Sequence, residues 1–252
     1  MNITHTTVLT EAQKSELQEL VDACKKKEPL SLSAPSEDGL DYLLAYESDG
    51  TLLGFLYLFF TEEQTCECSA FVHPEYRRKG IFDQLFNQAL DMTDNYEKTH
   101  HSPVDFCFLV DEKTSSAMAV MSLLETEYWY SEYKMVRKCR QSDMTYKSKL
   151  SIISKQDATN NMFVYDALLD GQKIGNCMVL PLEKEDYLFH FEIDEPYQGK
   201  GYGKDFLLGM LSALYQEGYQ ISLQVSGQNF IARNLYKKTG FQISETLSYY
   251  RY

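Results

Sequence analysis

The sequence predicts a mixed α/β chain made of two tandem copies of one unit, each a sheet flanked by helices. Two matches in one register carry that prediction. Asp49-Gly50-Thr51-Leu52-Leu53-Gly54 recurs 121 residues later as Asp170-Gly171-Gln172-Lys173-Ile174-Gly175. The same spacing aligns Tyr76-Arg77-Arg78-Lys79-Gly80 with Tyr197-Gln198-Gly199-Lys200-Gly201. A repeat of this kind decides architecture before any single element does. The third observation is that both copies run through the same order of patterns.

Each copy opens its sheet with a β-rich run (42–47; 162–169) that meets an Asp-Gly pair, a hairpin signal. A second strand follows (52–61; 173–180), then a third (65–72; 187–193). A Gly-containing turn next opens a helix, in which apolar residues recur at helical spacing (82–92; 203–215). A short apolar strand (105–110; 220–225) and a second helix (115–125; 230–238) come after it. An aromatic strand closes each copy (128–136; 241–252). The fronts differ. The first copy has an amphipathic helix over 11–27, whereas 142–161 in the second is too short for two full helices. The join falls in the polar, basic stretch 139–149, so the domains are expected at 1–138 and 139–252.

Composition narrows the function classes. The chain has 252 residues, is 44% hydrophobic and 24% charged, and carries a formal net charge of −13. These fractions fit a folded chain and exclude a disordered or low-complexity one. No apolar run approaches the ~20 residues that span a bilayer. The polar N-terminus has no apolar signal core, so a cytoplasmic location is expected. The acidic balance argues against nucleic acid and anionic membranes, and suits a cationic small molecule or a basic protein segment. Six scattered cysteines make no disulfide framework. Cys66 and Cys68 have no partner pair nearby, so no metal site is expected.

Gln198-Gly199-Lys200-Gly201-Tyr202-Gly203 lies between a predicted strand and helix. Its glycines let the backbone turn tightly and aim N–H groups at an anion on a helix N-terminus. The spacing is neither a Walker loop nor a dinucleotide fingerprint. Past the next strand comes Asn229-x-x-Ala232-x-x-Leu235-Tyr236-x-x-x-Gly240-Phe241. Ala232 and Tyr236 share a helix face there, a small residue beside a hydroxyl.

Together these motifs resemble the acetyl-CoA-binding core of the GNAT N-acetyltransferase superfamily. Its pattern is [Q/R]-x-x-G-x-[G/A], which Gln198, Gly201 and Gly203 match. The close match covers 162–252. The resemblance implies two GNAT-like units, each a mostly antiparallel, splayed sheet flanked by helices. It implies acetyl-CoA held by Ile193, by Gln198, Gly199, Lys200, Gly201, Tyr202, Gly203 and Lys204, and by Asn229 and Ala232. It also implies direct transfer of the acetyl group to a primary amine. Tyr236 would protonate the leaving thiolate, and Glu192 would serve as base through water, with His190 a weaker candidate on the same strand. The N-terminal copy departs from the pattern. Phe82 replaces the last Gly/Ala, Met121 falls opposite Tyr236 and Thr114 opposite Asn229, so this copy reads as degenerate. A protein that binds CoA or another ligand without turnover is the alternative.

Overall fold

Period-2 alternation places the first sheet. In Asp41–Tyr46 (β2), Leu43 and Ala45 face one way, Tyr42 and Leu44 the other, and all four are fully buried. A strand buried on both faces needs a layer on each side. The computed structural model, which describes residues 1–61, 64–157 and 159–252, supplies both. It divides into two units: Met1–Ser131 with Leu247–Tyr252, and Glu132–Thr246.

In unit 1, Asn2–Thr6 (β1) is followed by Glu11–Lys27 (α1). Thr10 starts this helix: its hydroxyl accepts from Gln13 N at 3.2 Å while Gln13 Oε1 accepts from Thr10 N at 2.9 Å. Leu17, Leu20, Val21 and Cys24, at helical spacing, pack on Tyr42, Leu44, Phe55 and Phe71. After β2 come Leu52–Phe60 (β3), Thr65–Val72 (β4), Ile81–His100 (α2), Asp105–Asp111 (β5), Ser115–Leu123 (α3) and Glu127–Lys138 (β6). Helix α2 covers the other face, with Leu85, Phe86 and Ala89 against Leu43, Leu56, Leu58 and Phe108.

Unit 2 repeats the order: Ser151–Asp157 (β7), Met162–Leu169 (β8), Gln172–Leu182 (β9), Glu185–Ile193 (β10), Tyr202–Ala213 (α4), Gln220–Ser226 (β11), Phe230–Lys238 (α5) and Gln242–Arg251 (β12). One core holds it, formed by Phe206, Leu207, Met210 and Leu211 of α4 against Ala167, Ile174, Cys177, Val179 and Leu188. The strands run β7-β8-β9-β10-β11 and then β6 at 132–138. In unit 1 they run β1 to β5 and then β12 at 247–251.

The mixed α/β class and every patterned element are present. The structure adds two strands that the sequence reading lacks, β1 and β7. Both are short and polar, and pair antiparallel with β2 and β8 at sheet edges, where one-sided packing leaves little apolar signal. Residue 158, inside the stretch 142–161, lies outside the described residues. Helix α2, expected over 82–92, begins at Ile81 and runs on to His100. His100 is its last residue, and His101 ends it in a left-handed conformation with φ 53°.

Both copies share one backbone device. In each unit the strand before the long helix, β4 or β10, pairs in parallel with the strand after it for four residues only. These are 185–188 against 220–223 in unit 2 and 65–68 against 105–108 in unit 1. Beyond them, each strand pairs only with its outer neighbour, which opens a gap between the two.

Candidate active site

The loop of unit 2 sits at the mouth of that gap. Gly199 and Gly201 take φ 71° and 85°, and Gly201 is the left-handed N-cap of α4. L-residues avoid this region, which accounts for the two glycines. No side chain caps the helix, so its first N–H groups are not consumed by a capping oxygen. Gln198 braces the loop by donating from Nε2 to Ile193 O at 2.7 Å. Lys200 folds back onto Pro196 O at 2.8 Å and lies over the Tyr197 ring. Gly203 has ordinary φ. A Cβ there would meet Ile193 and Leu235 at 3.7 and 3.8 Å, which is ordinary van der Waals contact, so the position has room for alanine as well as glycine. Tyr202 rests edge-on against Tyr197, and Lys204 follows in the first turn of α4.

Helix α5 starts at Asn229, whose Oδ1 accepts from Ala232 N at 3.0 Å. Ala232 packs against the core, and one turn on Tyr236 is buried against Phe191 and Phe241. Burial, with a smaller contribution from Cys177, pushes the Tyr236 hydroxyl up to about 12. It therefore stays protonated at neutral pH, as a proton donor must. Its hydroxyl has no hydrogen-bond partner among the described residues.

Strand β10 is irregular where it matters. The register with β9 jumps between Phe189 and Glu192, and His190 takes φ 51°. This bulge turns Phe191 inward to stack on Phe206. His190 and Glu192 do not alternate along a regular strand, yet the bulge brings their side chains to 3.5 Å, both half exposed. Ile193, nearly buried, ends the strand beneath the loop.

Unit 1 keeps the backbone and loses the side chains. Arg78 and Gly80 take φ 64° and 75°, matching Gly199 and Gly201, and α2 begins at Ile81 as α4 begins at Tyr202. Phe82 does not lie across the loop. Its ring stacks on Phe86 at 5.5 Å and tilts against Phe108. Met121 is buried where unit 2 has Tyr236, and Thr114 donates to Pro29 O instead of capping its helix. The gap in this unit is a cleft of about 650 Å³, lined by Phe71, Val72, Phe82, Val110, Val120 and Arg77 among others. The sequence reading missed it, because an unpaired stretch of parallel strand leaves no local pattern. Glu28 accepts from Arg77 and from the Ser116 N–H and hydroxyl at the start of α3. Burial alone would raise its carboxyl; the Ser116 hydrogen bonds and the Arg77 pairing outweigh that and hold it at about 2.

Among the described residues no cluster of three or more His, Cys, Asp or Glu could hold a metal ion. No described helix is long and apolar enough to cross a membrane. All six cysteines are free.

Comparison with known proteins agrees with this geometry. The model of the acetyltransferase (GNAT) family matches residues 8–101 and 123–241. A Bacillus subtilis (strain 168) protein described as the uncharacterized N-acetyltransferase YycN is 38% identical over 66 residues, which is 26% of this chain and 42% of that one. The fold is similar to that of a GCN5-related N-acetyltransferase from Sphaerobacter thermophilus. There the TM-score is 0.77 and the identity 13%, covering 99% of this chain and 95% of the other. It is also similar to a tandem GNAT protein from the clavulanic acid biosynthesis pathway, with TM-score 0.72 and 13% identity over 100% and 98% of the chains.

Proposed function

The chain belongs to the acetyltransferase (GNAT) family, and from that premise we propose that unit 2 moves an acetyl group from acetyl-CoA to a primary amine by direct attack. One observation carries the choice of unit. Unit 2 joins the glycine loop and the strand gap to a buried, protonated tyrosine, whereas unit 1 has Met121 in that place.

In this reading the N–H groups of 199–203 and the N-terminus of α4 hold the pyrophosphate. The gap between β10 and β11 takes the pantetheine arm, with Ile193 beneath it and Asn229 and Ala232 shaping the α5 side. An N–H of the bulged strand polarises the thioester carbonyl. An alkylammonium, with a pKa of ~10, must lose a proton before attack. Glu192 accepts that proton through water. The new N–C bond forms as the C–S bond breaks, and Tyr236 passes its proton to the departing sulfur. The acceptor is cationic, drawn by the acidic surface. The free cysteines suit a reducing compartment, which supports a cytoplasmic location.

The test is thiol release from acetyl-CoA in the presence of a panel of amines, with products identified by mass spectrometry. Acetylated amine is the expected product. Binding of acetyl-CoA with no thiol release from any amine would overturn catalysis in favour of a binding protein.

A further inference from the structure

The face of unit 2 opposite α4 carries a row that spans three strands. In the β8–β9 register Asp166 stands opposite Asn176, and in the β9–β10 register Asn176 stands opposite Glu192. Directly opposed residues of antiparallel strands share a face, so carboxylate, amide and carboxylate lie side by side. Their neighbours Ala167 and Cys177 point the other way, into the core. Among the described residues no α-helix precedes β8 in this unit, so none covers the face as α1 covers its counterpart in unit 1.

Two side chains of the row make few polar contacts. Asn176 is only 8% exposed, and its side chain makes no hydrogen bond among the described residues. Asp166 Oδ1 is buried, also without a hydrogen bond. Lys173 Nζ does lie 2.7 Å from Asp166 Oδ1, but off the direction a hydrogen bond needs. Lys173 is half exposed, so its stem can swing away. An alkylammonium on a tether therefore already pairs with Asp166 in the free chain.

We infer that Asp166, Asn176 and Glu192 form the acceptor subsite, and that the acceptor is a dication such as an α,ω-diamine or polyamine. The inference rests on the acetyl-transfer reading of unit 2. The reacting amine lies at Glu192, beside the bulge and His190. The second ammonium takes the place of Lys173 at Asp166. Asn176 between them accepts from the internal secondary ammonium of a polyamine, and the aliphatic spacer of a simple diamine passes it without a bond. The two outer strands are about 10 Å apart at ~4.8 Å per step, a span suited to an extended aliphatic diamine.

The experiment is calorimetric titration of the full chain with hexane-1,6-diamine and with hexylamine. The readout is the affinity ratio within each variant, so that a general fold defect cancels. The wild type should favour the diamine about tenfold or more, as one added ion pair of ~1.4 kcal/mol implies. The ratio should fall towards one in Asp166→Asn, persist in Asp166→Glu and rise in Lys173→Met. A wild-type ratio near one, or an unchanged ratio in Asp166→Asn, would overturn the inference. Acetylated hexylamine without a diamine preference would overturn the subsite and leave the enzyme reading standing. The expected ratios with no acetylated product would overturn acetyl transfer and leave the subsite.

Discussion

Gly175 is where β9 passes the end of β10, and adding one methyl there tests how tightly the site is built. A Cβ at Gly175 would lie 2.4 Å from the Glu192 carbonyl oxygen, 2.8 Å from Ile193 Cδ1 and 3.1 Å from Ile193 Cα. Ordinary contact begins at 3.4 Å, so the Glu192 backbone must withdraw by about 1 Å. Two of the three obstacles are backbone, and no rotamer change relieves them. Overpacking of this kind costs ~1–3 kcal/mol. The same shift moves Glu192 and Ile193 at the base of the loop, and about 1 Å of misplacement lowers a rate ~10²-fold. Gly54 is the equivalent position in unit 1. A Cβ there meets Phe71 O at 2.8 Å, so the strand must yield by about 0.6 Å. Thermal unfolding by circular dichroism and initial rates of thiol release measure both effects. Gly175→Ala should lower Tm by roughly 2–12 °C, at ~2–4 °C per kcal/mol, and cut turnover sharply. Gly54→Ala should cost less stability and leave turnover near the wild-type value. A Gly175→Ala protein as stable and as active as the wild type would refute the claimed closeness of β9 to the site.

Three further outcomes follow from the same geometry. Tyr236→Phe should lower kcat by ~10²–10⁴-fold with little change in acetyl-CoA affinity, since the ring still packs and only the proton donor is lost; unaltered kcat where chemistry limits the rate would remove the tyrosine from this role. Gly201→Val forces a β-branched residue into φ 85° and should abolish acetyl-CoA binding by calorimetry; retained binding would dissociate the loop from the phosphates. Glu28 is held at about 2 against an ordinary 4.5, so its stabilising contribution is present above pH 4.5 and is lost as the pH falls towards 2. The stability gap between wild type and Glu28→Gln, followed by denaturant unfolding, should therefore shrink from pH 5 to pH 2; a constant gap would contradict the pairing with Arg77 and Ser116.

What the sequence determined by itself is what local chemistry enforces. The Asp-Gly turns, the glycine loop and the helix starts each depend on a few consecutive residues, because φ, capping and short-range periodicity are set within one turn of chain. Asp170 and Gly171 both take positive φ, as the hairpin signal requires. The 121-residue repeat also reached further than any single element, since the last glycine of D-G-x-x-x-G marks the close approach of the next strand in both copies. The tertiary structure decided the rest. The edge strands β1 and β7 form because a neighbour offers hydrogen bonds, not because their own residues demand it. The division of β6 and β12 between the two units is likewise a matter of pairing over more than eighty residues. Asp166, Asn176 and Glu192 lie 10 and 16 positions apart in the chain, and only strand register sets them in one row. Phe82 shows the same limit: the sequence sets a ring where the family pattern has Gly or Ala, and only packing on Phe86 and Phe108 decides which way it turns.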